Sequence, residues 1–228
     1  MKFFLLLTVF FTVPALAQEN SNSLYKAFDN IVGLKNTDLS YGTLYTEKYR
    51  TLEDNHPFLD QSNFVIGNVK YQNQVFFDVF IKYDIAEDHL ILNLSSTFEN
   101  RSIILEKSFV TSFTIANKSF FKVKEYGFCE VLQKANAIEL FKKNVKEKKK
   151  KLNTSFVYYK FLENNYYLLK YNDAYYKVEN KKDFYNIFPS SKNIIATFYK
   201  ENKNLRKNNL DQFYSLLAIS ISTNSTDK

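Results

Sequence analysis

The spacing of apolar residues changes twice along this chain. From Gly42 they alternate with polar ones, and past Asn180 they recur every three or four positions. Alternation marks strands, whose successive side chains point to opposite faces. In residues 42–50, Leu44, Thr46 and Lys48 oppose Tyr45, Glu47 and Tyr49. A turn around Pro57 follows. Residues 64–71 and 74–83 read as strands joined by Gln72-Asn73, a connection short enough for a hairpin. Residues 84–88 form the next turn and 89–94 the next strand. The series continues through 101–107, 108–115 and 119–126, with a break at Asn117-Lys118. Residues 127–133 and 137–143 flank Lys134-Ala135-Asn136 as another hairpin. Beyond a lysine run come 156–164, 166–171 and 174–178, with a tight turn at Asn172-Asp173, residue types that tolerate positive φ.

Short strands at a spacing of roughly ten residues, with no helix between them, predict a mainly β fold. The expected architecture is an antiparallel meander forming a sandwich or a partly closed barrel. Short amphipathic helices then complete the chain. Phe184, Ile187 and Phe188 share one helical face, with Asn180 as N-cap and Pro189 as terminator. Ile194, Ile195 and Phe198 repeat the pattern, and Leu210, Phe213, Leu217 and Ile221 form a third stripe. Such helices need a surface to pack on, and the β body supplies it.

The first residues carry a different signal. Lys2 precedes an unbroken apolar run over 3–13, then Pro14 and the small-residue site Ala15-Leu16-Ala17. That is the layout of a cleavable secretory signal, with cleavage before Gln18. The run is about half the ~20 residues of a membrane-spanning helix. The expected organisation is a signal peptide over 1–17 and a polar lead-in over 18–40, with a short helix through Leu24, Tyr25 and Phe28. A single β-rich domain over 41–221 follows, helical from about 180, and then a polar tail over 222–228. The expected location is periplasmic or secreted.

Charge sharpens this picture. The formal net charge is +7. Residues 18–117 hold 8 Lys and Arg against 13 Asp and Glu, whereas 118–207 hold 21 against 9, so the halves carry −5 and +12. A basic half suggests an anionic partner, and in the envelope that means lipid headgroups, acidic glycans or an envelope protein. Export removes nucleic acid from consideration. The lysine run at 146–151 and the rings between Ser155 and Val178 are adjacent but not interleaved, unlike a stacking platform for bases. The rings read as core or sheet cladding. The lysines read as a mobile, solvent-exposed connector, because like charges repel.

No motif assigns chemistry. The four glycines are scattered and form neither GxGxxG nor GxxxxGK[ST]. His56 and His89 are far apart, so no zinc spacing exists, and His56 before Pro57 reads as a turn residue. Asp84, Glu87 and Asp88 are the densest acidic cluster, without the alternating ligands and glycine of a calcium loop. Their adjacency in extended chain turns Glu87 and Asp88 to opposite faces, so they read as a solvated turn. Cys129 is the sole cysteine; no internal disulfide exists, and its apolar neighbours Phe128 and Val131 predict burial. No catalytic, cofactor-binding or metal-binding residue is assigned, and no cofactor is expected.

Residues 44–59, 62–92 and 166–189 are similar to a family of uncharacterised exported proteins of Bacteroidota, sharing framework features such as turns, strand edges and a helix entry. The resemblance implies a β-rich body with a lysine-rich helical end, and it implies no activity. The function expected is that of a non-enzymatic cell-envelope protein acting through surface contacts. The alternative is a lipocalin-like carrier of a small apolar ligand inside a barrel.

Overall fold

The computed structural model describes residues 33–94 and 101–224; the predicted signal peptide and the helix at Leu24–Phe28 lie outside them. Its chain is mainly β. Strands β1 (Gly42–Leu44), β2 (Val65–Tyr71), β3 (Gln74–Asp84), β4 (His89–Asn93) and β5 (Ser102–Leu105) come first. They are followed by β6 (Val110–Ile115), β7 (Lys118–Val123), β8 (Gly127–Ala135) and β9 (Ile138–Lys143). Then come β10 (Lys146–Leu152), β11 (Val157–Glu163), β12 (Tyr166–Tyr171) and β13 (Ala174–Val178). The helices α1 (Lys181–Ile187), α2 (Lys192–Glu201), α3 (Lys203–Asn208) and α4 (Leu210–Asn224) complete the described chain.

Eleven strands form one antiparallel sheet in the order β1-β5-β4-β3-β2-β6-β7-β8-β9-β12-β13, and β10 pairs only with β11. The local turns follow residue chemistry. Gln72 and Asn73 have φ of 46° and 68°, and Asn172 and Asp173 have 49° and 59°, the left-handed pair that matches strand twist in a two-residue hairpin. Two predicted turns sit slightly elsewhere. The β6–β7 turn is Ala116-Asn117, and β8 runs on through Ala135, which pairs with Ile138. Of the strand expected at 42–50, only Gly42–Leu44 pairs as one, against β5.

Strands β2 to β8 curl around a core containing Leu92, Ile103 and Val69 together with an aromatic group. There Tyr83 meets Phe113, Phe120 and Phe128 at centroid distances of 5.2, 5.3 and 6.0 Å. The Tyr83 ring thus bridges β3 to β7 and β8, so the sheet is strongly coiled. It does not close into a barrel, since β1 and β13 remain its two ends. The enclosed cavity on which the carrier reading depended does not arise from strand closure. Leu39 is fully buried in this core, so packing begins inside the segment read as a lead-in.

The helices cover the far end of the sheet. Phe184, Ile195, Phe213, Leu217 and Ile221 are fully buried against Leu140, Leu169 and Val178. Asn180 caps α1 as expected, accepting from the Lys182 amide, while Asp183 accepts from the Asn180 amide to close a capping box. Leu210, expected on the buried stripe of α4, is 37% exposed.

Candidate functional site

The lysine run is a strand, not a mobile connector. Lys149 pairs directly with Lys160 and Lys151 with Tyr158 across the β10–β11 ribbon. A run of lysines has little strand propensity, so what holds it is its inner face. Lys146 Nζ donates to the carbonyls of His56 and Phe58 at 3.0 and 2.8 Å, and burial lowers its pKa. Lys148 Nζ donates to the Tyr49 hydroxyl at 2.6 Å and to Glu87 Oε1 at 2.9 Å, and it lies 4.2 Å from the Tyr49 ring centroid. These bonds raise the Lys148 pKa and lower that of Glu87. The Tyr49 ring packs edge-on against Tyr159 and Phe161 at 5.0 and 5.7 Å. Asn55 clips the ribbon through both polar groups of Phe161: its amide nitrogen donates to the carbonyl at 2.9 Å, and its oxygen accepts from the Phe161 N–H at 2.7 Å.

Strand alternation sends Lys149, Lys151, Tyr158 and Lys160 to the opposite, outward face. There the Arg50 guanidinium lies 3.7 Å over Phe156, whose ring is 6.3 Å from Tyr158. Glu147 is the carboxylate on that face, 4.0 Å from Lys149 and bonded by the Asn164 amide. Four cations and two rings therefore stand on one side of a ribbon separate from the main sheet.

The acidic cluster is not a solvated turn. Asp84 is buried at 5% exposure, accepting from the amides of Ala86 and Glu87 at 2.9 and 3.0 Å, and burial raises its pKa. Glu87 turns outward to Lys148, whereas Asp88 turns inward, the divergence that their adjacency predicts. Asp88 accepts from the Tyr83 hydroxyl, from Lys107 and from Lys143, the last at 2.8 Å. A Cβ on Gly127, whose φ is +72°, would collide with the Asp88 carboxylate. Sequence reasoning missed this buried charge because its partners lie 5, 19 and 55 residues away.

His56 and His89 stay apart in role. His56 Nδ1 accepts from the Phe58 amide at 3.2 Å and its ring stacks on Phe58, while burial lowers its pKa. His89 shares with Glu47, Asp84 and Glu87 a notch of about 20 Å³, room for little more than one water. Among the described residues no group of three or more His, Cys, Asp or Glu is placed to hold a metal. Cys129 is fully buried, and burial pushes its thiol up to about 11. No described helix is long and apolar enough to cross a membrane.

A second concavity lies among the helices. It is an open cleft of about 750 Å³ whose walls include Lys181, Lys182, Tyr185, Tyr199, Arg206 and Tyr214. Comparison with known proteins adds nothing to these geometries: no protein-family model, curated protein or solved structure matches the chain.

Proposed function

We propose that this is an exported, non-enzymatic cell-envelope protein that acts by surface contact with an acidic glycan, held on the outward face of the β10–β11 ribbon. One observation carries the reading: Lys149 stands opposite Lys160, with Lys151 and Arg50 on the same side, and a single carboxylate, Glu147, stands among them. Like charges directly opposite each other destabilise a strand pair, so this arrangement is explained by something outside the chain that supplies the negative charge.

Glycan suits the face better than a flat charged surface. Alternate residues on a strand are about 7 Å apart, so Lys149 and Lys151 form a row of regularly spaced cations suited to a polymer with one acid per repeat. The half-exposed rings of Phe156 and Tyr158 add flat apolar area beside that row, which suits the apolar face of a sugar ring. The signal-like N-terminus and the resemblance to exported proteins support the location.

The test is retention on an immobilised polyuronate, eluted with salt. The variant Lys149→Gln/Lys151→Gln/Lys160→Gln should elute at clearly lower salt than the parent, because screened contacts between exposed charges set this affinity. Neutral dextran should retain neither. Unchanged elution, or retention on anionic vesicles but not on polyuronate, would refute the glycan reading.

A further inference from the structure

We propose that the helical cleft is a second binding site, separate from the ribbon, and that it takes a small ring-bearing phosphate monoester. Its cations come from two elements: Lys181 and Lys182 from α1, and Arg206 from α3. None of the three forms an ion pair with a described residue. Lys181 lies 5.2 Å from the Tyr185 ring and 5.9 Å from the Tyr199 ring, and Arg206 lies 5.4 Å from Tyr199. The two neighbouring carboxylates are already engaged. Glu179 pairs with Lys177 at 2.7 Å, and Asp183 accepts from the amides of Glu179 and Asn180 at 2.8 and 2.9 Å. Among the described residues, three cations therefore line the cleft without an ion pair, beside one lining carboxylate, Glu179, that is engaged by Lys177.

An independent feature points to a ligand. Tyr199 is only 7% exposed, yet its buried hydroxyl forms no hydrogen bond. The nearby Tyr214 hydroxyl donates to the Glu179 carbonyl at 2.8 Å, so toward Tyr199 it can only accept. Buried polar groups are normally satisfied, and leaving one unmade is costly. A ligand oxygen at the back of the cleft would accept from Tyr199. A guanidinium fork with two ammonium groups matches a phosphate dianion, and the Tyr185 and Tyr199 rings favour a flat body next to it. The volume of about 750 Å³ falls within the range of small-molecule sites.

The experiment titrates the full mature chain with phenyl phosphate, inorganic phosphate and the neutral p-cresol, followed by calorimetry and by shifts of tyrosine resonances. Phenyl phosphate should bind, p-cresol should not, and inorganic phosphate should bind at least fivefold more weakly. Lys181→Gln/Arg206→Gln should weaken phenyl phosphate at least tenfold. Tyr199→Phe should weaken it about fivefold without lowering the melting temperature, which separates a ligand contact from a structural role. The triple ribbon variant, Lys149→Gln/Lys151→Gln/Lys160→Gln, should bind phenyl phosphate like the parent. No binding of phenyl phosphate, or its loss on the ribbon variant alone, would overturn the proposal. Equal affinity for inorganic phosphate would overturn the ring-bearing part.

Discussion

Replacing Asp88 by Asn should destabilise the fold more than its place in a five-residue acidic turn suggests. The side chain of Asp88 is 17% exposed and that of Lys143 only 8%, so their 2.8 Å pair is largely withdrawn from water. Lys143 also donates to the Phe128 carbonyl at 3.0 Å, which fixes the ammonium over β8. Asn keeps the shape of Asp but removes its charge, leaving a buried ammonium with only neutral acceptors. Removing one partner from a buried pair costs about 3–5 kcal/mol. Lys107, with its side chain 39% exposed, adds little, because water takes over its solvation. A loss of about 3 kcal/mol corresponds to a fall of roughly 6–12 °C in melting temperature for a domain of this size. Urea unfolding followed by circular dichroism measures it. The double variant Asp88→Asn/Lys143→Met should recover part of the loss, since the stranded charge is then gone. A loss below about 0.5 kcal/mol in the single variant, or a double variant less stable than the single one, would refute this account.

Two further outcomes follow from buried groups. Burial raises the pKa of Asp84 above its unfolded value, so its contribution to stability is fully present below the unfolded pKa and is lost as pH rises through the folded one. Asp84→Asn keeps an oxygen for the amides of Ala86 and Glu87 and should therefore match or exceed the parent in melting temperature at pH 7, with the difference shifting against the variant by pH 3; a loss at pH 7 alone would count against this sign. Cys129, fully buried with its thiol at about 11, should react with a maleimide only as fast as the chain unfolds, so labelling should accelerate steeply with urea; rapid labelling of the native protein would show that the site opens locally.

What the sequence made legible was local. Gln72-Asn73 and Asn172-Asp173 turn the chain because their residue types accept left-handed backbone, and Asn180 starts a helix because its side chain meets an amide two residues on. Alternation identified strands but not their neighbours. Nothing near β2 says that β6 will pair with it, displacing β3, β4 and β5 to one side, or that β12 will return to β9 past the ribbon. Such pairings depend on contacts far apart in sequence. The same distance hid the sites: Lys148 meets Tyr49 across 99 residues and Lys146 meets the carbonyl of His56 across 90. A repulsive run became an ordered strand because its inner half found those partners. The cleft at the helices was hidden differently, since Lys181, Tyr199 and Arg206 belong to three separate helices.

The run 146–151 therefore contains two kinds of lysine that composition cannot separate. Lys146 and Lys148 have acceptors and hold the ribbon to the segment around Tyr49 and His56. Lys149 and Lys151 are exposed on the outward face, and the residue opposite Lys149 is another lysine. If solubility alone were the reason for these charges, a Glu at position 160 would serve equally and would replace repulsion with an attraction worth a few tenths of a kcal/mol. Lys146 and Lys148 show that the chain does supply acceptors where a lysine has a structural task, whereas Lys150 on the same face is exposed. On the outer face Glu147, 4.0 Å from Lys149, stands against four cations, and that excess is the reason to look for the negative charge in a partner.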